Sequence, residues 1–397
     1  MLENISIITY KGHTPRQRFL LNIKVSRDRD MVNYRIGVIG HTGRGNYGHG
    51  IDTVWSHVPD CEVVAVSDPD QAGQAAAKER LKAPVTYSDY RKMLNDEQLD
   101  IVAICPRWLD QHRDMVLFAA EKELHIYMEK PFCRTLEEAD QMVAVCESNK
   151  VKLAIAHQTR YSPTLRVIRE LIEDGRIGDV LELRGRGKED GRGGGEDLWV
   201  LGSHIFNMMH FFGGEPTWCF ARAYQDGVPV QKKDVYEGNE GIGSLAANSL
   251  TATYGMQDGI HGYFASTKGA GNGARFALQI YGSKGVFDIK TGYRPLAYLL
   301  EDPNWCSGRS GKNWQRVTSA GVGKPAPSGD SSLHAGNIAA CIDLIAAIKE
   351  DRQPECNMYE ARTTVEMIAA VYESHRQSVP VAMPLIQRKN PLTLLTS

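Results

Sequence analysis

The sequence predicts an α/β Rossmann domain with a doubly wound parallel sheet, followed by an α+β domain with a large, open and mainly antiparallel sheet. Two observations support this prediction. Between residues 34 and 156, short apolar strands alternate with helical segments, which is typical of a parallel sheet covered by helices. Between residues 218 and 288, short alternating strands are separated by turns rich in glycine and lysine, which favours antiparallel pairing.

The composition restricts the classes of partner. Charged residues make up 24% of the 397-residue chain, and the net charge is −2. This balance does not indicate nucleic acid or a membrane as the main partner, and no apolar run reaches membrane-spanning length. The eight cysteines are scattered without a C-x-x-C pair. We therefore expect reduced thiols in a cytoplasmic protein, with neither a disulfide framework nor a metal site.

These patterns divide the chain into four segments. Residues 1–30 contain one short apolar patch and then a basic, polar stretch, without the small-residue cleavage pattern of a signal peptide, so we expect a disordered extension. We assign residues 31–156 to an NAD-binding Rossmann domain and residues 157–385 to a substrate-binding and oligomerisation domain. Residues 386–397 are expected to form a tail.

A glycine-rich turn follows the first strand, residues 35–39. It consists of Gly40, His41, Thr42, Gly43, Arg44 and Gly45. A helix is expected next, from Asn46 to about His57, so the order of strand, turn and helix indicates a dinucleotide site. Glycines let the backbone approach a pyrophosphate, and the N-terminus of a helix favours an anion. Thr42 replaces the middle glycine of the motif, and a turn without a ligand is the alternative interpretation.

Asp68 ends the second predicted strand, residues 62–67, about two dozen residues after Gly45. A carboxylate at this position accepts hydrogen bonds from the adenosine ribose and repels a 2′-phosphate, so NAD is favoured over NADP. Because Pro69 follows, Asp68 is alternatively, or in addition, the N-cap of a helix.

Further strands are expected at residues 99–105, 125–128 and 152–156, with helices at residues 110–122 and from Thr135, the N-cap, to about Asn149. Ligands of an open parallel sheet lie beyond the carboxyl ends of its strands. Glu129, Lys130 and Pro131 follow one of these ends. Pro131 restricts the backbone before it, so Lys130 is presented from an extended segment.

The second half begins with His157, Arg160 and Tyr161, which follow the strand at residues 152–156 and are expected to face the cleft. The glycine-rich segment 187–195 contains Lys188 and is interpreted either as a loop that folds over the substrate or as a plain mobile loop. From Asp197, as N-cap, a continuous helix is predicted to Phe212, with His204 and Asn207 on one face.

The remaining chain is predicted to form a sheet, a loop at residues 318–332, and helices at residues 334–349 and 359–377. One face of the sheet would pack on helices. The opposite face would be uncovered, and an uncovered face is an association site, so we expect a homo-oligomer.

Several motifs together resemble the glucose–fructose oxidoreductase / inositol dehydrogenase (Gfo/Idh/MocA) family, over residues 35 to about 210. They are Gly37-Val38-Ile39-Gly40 with Gly45, Ser67-Asp68-Pro69, Pro106 with His112, His125, Glu129-Lys130-Pro131, Arg160-Tyr161 with Pro163, and Gly202-Ser203-His204. The resemblance implies that Lys130 lies beside the nicotinamide and the reacting carbon, and that His204 is the catalytic histidine.

The same resemblance implies the remaining site residues. Cofactor contacts are expected from Gly40, His41, Thr42, Gly43, Arg44, Gly45, Asp68, Pro106, His112, Glu129 and Lys130. Substrate contacts are expected from Lys130, Arg160, Tyr161, Lys188, His204 and Asn207.

Two positions depart from the family pattern. Many sugar-alcohol dehydrogenases of the family carry an aspartate four residues before the histidine and another three residues after it, where this chain has Val200 and Asn207. Water or another carboxylate such as Asp197 would then complete the proton relay. The leading hypothesis is an NAD-dependent dehydrogenase of a sugar, glycoside or cyclic polyol. The alternatives are a redox-neutral NAD-using glycosidase and a non-catalytic sugar or cofactor sensor.

Overall fold

The computed structural model describes residues 33–271, 275–291, 296–327 and 333–396, and this part of the chain packs as one compact unit. The extension predicted at residues 1–30 lies outside the described residues.

Among the described residues, six parallel strands form the first sheet, in the order β3-β2-β1-β4-β5-β6. This is the strand order of a dinucleotide-binding fold, so the predicted doubly wound sheet is confirmed. The strands are β1 Tyr34–Ile39, β2 Cys61–Ser67, β3 Val85–Tyr87, β4 Ile101–Ile104, β5 His125–Met128 and β6 Leu153–Ile155. The helices between them are α1 Gln71–Leu81, α2 Tyr90–Asp96, α3 His112–Glu121 and α4 Leu136–Ser148.

The helix predicted at residues 46–57 is wrong. Turns occupy most of this segment, and only Val54–His57 forms a short 3₁₀ helix. Asn46, Gly48 and Gly50 have φ angles of 53°, 65° and 79°, which an α-helix does not accommodate. The predicted anion site at the N-terminus of this helix is therefore not formed.

Thr135 caps α4 as predicted, since its side chain accepts a hydrogen bond from the backbone N–H of Glu138. The Glu138 carboxylate binds the backbone and guanidinium of Arg134. These contacts anchor the loop after β5, which carries Lys130, to the start of the following helix.

A second, larger sheet follows in the order β18-β17-β16-β15-β14-β7-β13-β12-β8-β19, with β9 beside β8. Its pairs are antiparallel except for β7 with β13, which confirms the mainly antiparallel prediction. Its strands are β7 Val180–Arg186, β8 Pro216–Gln225, β9 Val228–Pro229, β12 Ser249–Met256, β13 His261–Thr267, β14 Ala277–Gly282, β15 Gly285–Lys290, β16 Leu296–Leu300, β17 Gln315–Thr318, β18 Gly321–Val322 and β19 Val381–Ala382. A separate hairpin pairs β10 Tyr236–Glu237 with β11 Ser244–Leu245.

The loop predicted at residues 318–332 begins as the hairpin of β17 and β18, and residues 328–332 lie outside the described part. The helices of this half are α5 Pro163–Glu173, α6 Gly195–Val200, α7 Gly202–Gly213, α8 Leu333–Glu350 and α9 Met358–Gln377. Helices α7 and α9 pack together, and they cover one face of the large sheet through β7 and β8.

The helix predicted from Asp197 to Phe212 is interrupted at Leu201 and forms α6 and α7. Asp197 lies inside α6 and is not its N-cap. Its buried carboxylate accepts hydrogen bonds from the Ser266 hydroxyl at 2.6 Å and the Glu189 backbone N–H at 3.1 Å. Asp197 therefore ties α6 to the large sheet.

The predicted tail is bound to the rest of the molecule. The Arg388 guanidinium donates to Asp140 on α4 and to Glu366 on α9, and Leu392 is buried. The side chain of Asn390 donates to the backbone carbonyl of Ser244 in the β10–β11 hairpin. This segment thus holds the base of the hairpin against α4 and α9.

Candidate active site

Lys130 lies directly after β5, at the carboxyl edge of the parallel sheet, and its peptide bond to Pro131 is cis. Only 5% of the residue is exposed. The ammonium donates a hydrogen bond to the backbone carbonyl of Val200, at the end of α6, across 2.9 Å. Burial lowers the pKa of Lys130, and the carboxylates of Glu129 and Glu240 oppose this shift. A buried cation is therefore held between the two halves of the chain.

His204, on the first turn of α7, meets His157, which follows β6. Their Nδ1 atoms are 3.5 Å apart, and their rings lie edge to face with centroids 5.2 Å apart. Burial, and then the Lys130 cation, lower the pKa of His157 to about 3 and that of His204 well below its usual value. Both imidazoles are accordingly neutral at neutral pH.

His112 is completely buried and holds the Lys130 loop in place. Its Nδ1 lies 3.0 Å from the carbonyl oxygen of Pro131, and its Nε2 lies 2.7 Å from that of Pro106. His112 thus joins the loop after β4 to the loop after β5. The predicted cofactor contact of His112 stays a prediction, and the contacts observed in the protein are to the backbone on both sides of the site.

Glu129 has one carboxylate oxygen paired and one available. Its Oε1 lies 2.5 Å from Nδ1 of His49, whereas its Oε2 has no hydrogen-bond partner among the described residues. The residue is completely buried, and a Cβ added to Gly48 would approach Oε2 to 3.2 Å. A buried acceptor without a partner is a position where a ligand hydroxyl or water would be bound.

The Asp68 carboxylate is also completely buried, but its acceptor positions are filled. It accepts hydrogen bonds from the Thr42 hydroxyl at 2.7 Å and the Tyr47 hydroxyl at 2.8 Å. It also accepts hydrogen bonds from the backbone N–H groups of Thr42 and Asp70 at 3.0 to 3.2 Å. A carboxylate offers about four acceptor sites. Ribose hydroxyls would therefore compete with these protein donors for Asp68. The N-cap of α1 is Asp70, so the capping interpretation of Asp68 is wrong.

The glycine-rich turn makes mainly internal contacts. His41 lies 3.2 Å from the Gln111 side chain, and Arg44 pairs with Asp110 and stacks on Trp108 at 4.8 Å. The space beside two glycines is filled by protein, because a Cβ on Gly40 would meet the Tyr47 ring and one on Gly45 would meet the Arg107 backbone. Gly43 has a φ of 78° and faces open space in the described structure.

Three residues that were predicted to contact the substrate contact other protein residues instead. Arg160 donates to Glu360 across 2.7 Å and stacks on Phe211. The Tyr161 hydroxyl donates to Asp343 and accepts from the backbone N–H of Cys356, and Asn207 lies against the Cys356 thiol. All three are buried. These contacts give no support to the substrate role expected for Arg160, Tyr161 and Asn207. They link the segment before α5 to α7, α8 and α9 instead.

The glycine-rich segment 187–195 is packed against the large sheet. A Cβ added to Gly193 would lie 2.3 Å from the Lys268 backbone, and one added to Gly195 would lie 2.1 Å from the carbonyl of Ala246. The glycines thus permit close approach, which excludes the plain mobile loop. Lys188 pairs with Asp190 at 3.3 Å and has 38% of its side chain exposed.

The chain matches the family described as "Oxidoreductase family, NAD-binding Rossmann fold" over residues 34–157 and the "GFO/IDH/MocA C-terminal domain" over residues 165–288. The chain belongs to the Gfo/Idh/MocA family. It is similar to D-apiose dehydrogenase of Paraburkholderia graminis, with 26% identity over 86% of this chain and 88% of that protein. It is also similar to 2,7-anhydro-N-acetylneuraminate hydratase of Mediterraneibacter gnavus, with 30% identity over 35% of this chain and 36% of that protein.

A solved structure of levoglucosan dehydrogenase with NADH and levoglucosan superimposes on this Gfo/Idh/MocA protein with a TM-score of 0.74. The match covers 89% of this chain and 100% of the other at 19% identity, and at that identity it shows the shared fold.

The N-terminal domain matches a family with an NAD-binding Rossmann fold, and some of the residues present here fit NAD better than others. The open space at Gly43 and the available Oε2 of Glu129 suit a ligand along the carboxyl edge of the sheet. At the adenosine end, ribose hydroxyls would compete with the hydroxyls of Thr42 and Tyr47 for Asp68.

Glu240 is a site residue that the sequence did not reveal. It lies at the tip of the β10–β11 hairpin with a φ of 57°, and its carboxylate is 3.8 Å from the guanidinium of Arg107. Its charge acts on Lys130. The segment Asn239-Glu240-Gly241 predicts a turn, but nothing in the local sequence predicts that this turn lies near Lys130, which is more than a hundred positions away.

The described residues contain neither a cluster of metal ligands nor a helix that could span a membrane. This part of the chain contains no group of three or more histidine, cysteine, aspartate or glutamate side chains arranged to hold a metal ion. In the same residues, every helix is too short or too polar to cross a membrane.

Proposed function

We propose that this protein is an NAD-dependent dehydrogenase that oxidises a carbinol carbon of a sugar, glycoside or cyclic polyol. The observation that carries the proposal is that Lys130, at the carboxyl edge of the NAD-binding sheet, donates to the backbone of Val200, four residues before His204, and that its charge acts on the His204 imidazole. Relatives named as dehydrogenases of apiose and levoglucosan support this class of substrate.

In this proposal His204 is the base. The substrate O–H proton passes to a neutral imidazole nitrogen, and the C–H bond breaks with its electron pair as the C=O bond forms. NAD, when bound, supplies the hydride acceptor. A neutral imidazole suits this task because its lone pair is available near neutral pH.

Lys130 is proposed to bind the oxygen that becomes the carbonyl. An ammonium carries three N–H donors, and the Val200 carbonyl is the acceptor found for one of them in the described structure. A cation in a buried site strongly stabilises the negative charge that develops on the substrate oxygen. Lys188 and Glu240 are proposed to bind other hydroxyl groups of the substrate, and Glu129 is proposed to bind the cofactor.

The test incubates the purified full-length chain with NAD and a panel of pentoses, hexoses, anhydrosugars, glycosides and inositols, and records NADH absorbance. NADH formation with members of the panel supports the dehydrogenase. Tight binding of a panel sugar with no product under any condition would instead support a sensor.

A second candidate is a redox-neutral reaction in which a sugar is transiently oxidised, loses a substituent and is reduced again. The apolar Val200 at the position of the usual carboxylate favours it, as does the relative named as a hydratase. This reaction would release product from a glycoside or anhydrosugar with substoichiometric NAD and without net NADH, so product analysis by chromatography separates it from the first candidate.

The protein is further proposed to be a homodimer or homotetramer that associates through the outer face of the large sheet. Phe220, Thr253 and Tyr263 are aligned across β8, β12 and β13, so they lie on one face. Phe220 and Tyr263 are each 37% exposed, whereas the opposite face is covered by helices. Neighbouring exposed aromatic side chains on an open face favour association. We also propose a cytoplasmic location, as the scattered cysteines suggested.

A further inference from the structure

None of the three positions considered as a carboxylate partner of His204 supplies one in the described structure. Val200 is apolar, Asn207 faces Cys356, and Asp197 is bound to Ser266 and Glu189. The hydrogen-bond partner that the structure gives to His204 is His157.

The pair of imidazoles imposes a proton arrangement. The Nδ1 atoms are 3.5 Å apart, and both rings are neutral at neutral pH. A hydrogen bond between two ring nitrogens requires one N–H and one lone pair. In such a bond, one histidine carries its proton on Nδ1 and the other carries its proton on Nε2.

Burial, more than the surrounding charges, keeps the pair neutral. Lys130 acts on both rings, and Arg160 acts on His157. The carboxylate that faces His157 is Glu360, and it is already bound to Arg160 and His210. Protonation of either ring is thus opposed by cations and by burial.

We propose that His157 is a positioning residue that accepts the Nδ1–H of His204 and so leaves the Nε2 lone pair of His204 for the substrate hydroxyl. The inference rests on the proposed function. The proton of a neutral imidazole is placed by the hydrogen bond that the other nitrogen makes, so an acceptor at Nδ1 selects the reactive tautomer. When His204 takes the hydroxyl proton on Nε2, its Nδ1–H remains bonded to His157.

The kinetic test compares His157→Asn with His157→Ala. An asparagine oxygen can accept at nearly the position of Nδ1, whereas alanine cannot. We expect the asparagine variant to retain kcat within about threefold and the alanine variant to lose about 100-fold in kcat with little change in KM. Equal loss in both variants would overturn the positioning role, since it would make the His157 imidazole itself necessary.

A spectroscopic test does not depend on turnover. Long-range ¹H–¹⁵N correlation of the full chain labelled with [¹⁵N]histidine reports which nitrogen of each ring is protonated, and His204→Asn assigns the signals. We expect His204 as the Nδ1–H tautomer in the parent and in His157→Asn, and a change to Nε2–H in His157→Ala. His204 with Nε2–H in the parent, or an unchanged tautomer in His157→Ala, would overturn the inference.

Two controls separate the causes of failure. His261→Asn changes an exposed histidine on β13 and should leave both the tautomer of His204 and kcat unchanged. NAD binding, measured by tryptophan fluorescence, shows whether each variant is folded. If no substrate yields NADH in the parent, the proposed function fails, while the tautomer measurement still decides whether His157 orients His204.

Discussion

The Lys130 ammonium and the Val200 backbone carbonyl are joined by a hydrogen bond of 2.9 Å. Val200 occupies the position where many sugar-alcohol dehydrogenases of the family carry an aspartate. Its side chain cannot bind a proton or a hydroxyl, but its backbone oxygen holds the lysine of the neighbouring half. The cation is thereby positioned without a carboxylate, and each of the following predictions depends on such contacts between distant segments.

Lys130→Met removes the cation and keeps most of the apolar volume. We expect kcat to fall about 100- to 1,000-fold, because one buried electrostatic contact to the developing alkoxide is lost. The dissociation constant of NAD should change little. Steady-state kinetics and fluorescence titration measure the two quantities. Lys92→Met alters an exposed lysine paired with Asp96 and serves as the control; equal turnover of the parent and Lys130→Met would refute the assignment.

Tyr47→Phe removes one hydrogen bond to Asp68 but keeps the ring that stacks with Arg80 at 4.7 Å. We expect NAD to bind about tenfold more tightly, because the ribose hydroxyls no longer compete with a phenol for a charged acceptor. Isothermal titration measures the affinity. Tyr87→Phe removes a hydroxyl that binds Glu97 and is the matched control. Weaker NAD binding by Tyr47→Phe would show that the phenol belongs to the cofactor site.

Stability should depend on His210. Burial alone lowers its pKa, but a hydrogen bond to Glu215 and an ion pair with Glu360 outweigh burial and raise it from 6.5 to about 9. A raised folded-state pKa contributes stability that is fully present below pH 6.5 and is lost as the pH rises through about 9. The contribution is on the order of 3 kcal/mol.

Urea unfolding at pH 7 and pH 10 measures this contribution. The parent should lose free energy of unfolding between the two pH values, and His210→Asn should be less stable at pH 7 and show a smaller difference. His57→Asn, at an exposed histidine, should behave as the parent. An unchanged pH dependence in His210→Asn would contradict the charged state of His210.

Gly193→Ala should lower the free energy of unfolding by about 1 to 3 kcal/mol, because its methyl group would overlap the Lys268 backbone. Gly191, in the same segment, has no atom within 4 Å of an added Cβ, so Gly191→Ala should remain within about 0.5 kcal/mol of the parent. Urea denaturation of both variants compares the two sites. Equal stability would show that the segment is not closely packed.

Phe220→Asp should dissociate the proposed oligomer, because it introduces a charge beside the exposed aromatic side chains on the outer sheet face. Size-exclusion chromatography with light scattering gives the molar mass. Val85→Asp places the same charge on an exposed apolar residue of the other sheet and should not change the mass. A monomeric parent would exclude this assembly.

Much of the fold was predictable because strand and helix periodicity is a local property. The parallel sheet, the mainly antiparallel sheet and the Thr135 cap follow from patterns within about ten to twenty residues, and the structure confirms them. The prediction of a helix at residues 46–57 was wrong, and the reason is also local. Asn46 and the closely spaced glycines of this segment adopt positive φ angles, and the periodicity of the apolar residues does not predict such angles.

By itself, the sequence determined the two-part architecture, the family, and the position of Lys130 after a central strand. Tertiary structure alone decided the partners of the site residues. His157 and His204 are 47 positions apart, and Tyr47 reaches Asp68 across 21 positions. Glu240 lies at the tip of the β10–β11 hairpin, and Asn390 in the C-terminal segment binds the base of that hairpin. Each of these contacts depends on how loops from separate elements pack, and local periodicity carries no information about that packing.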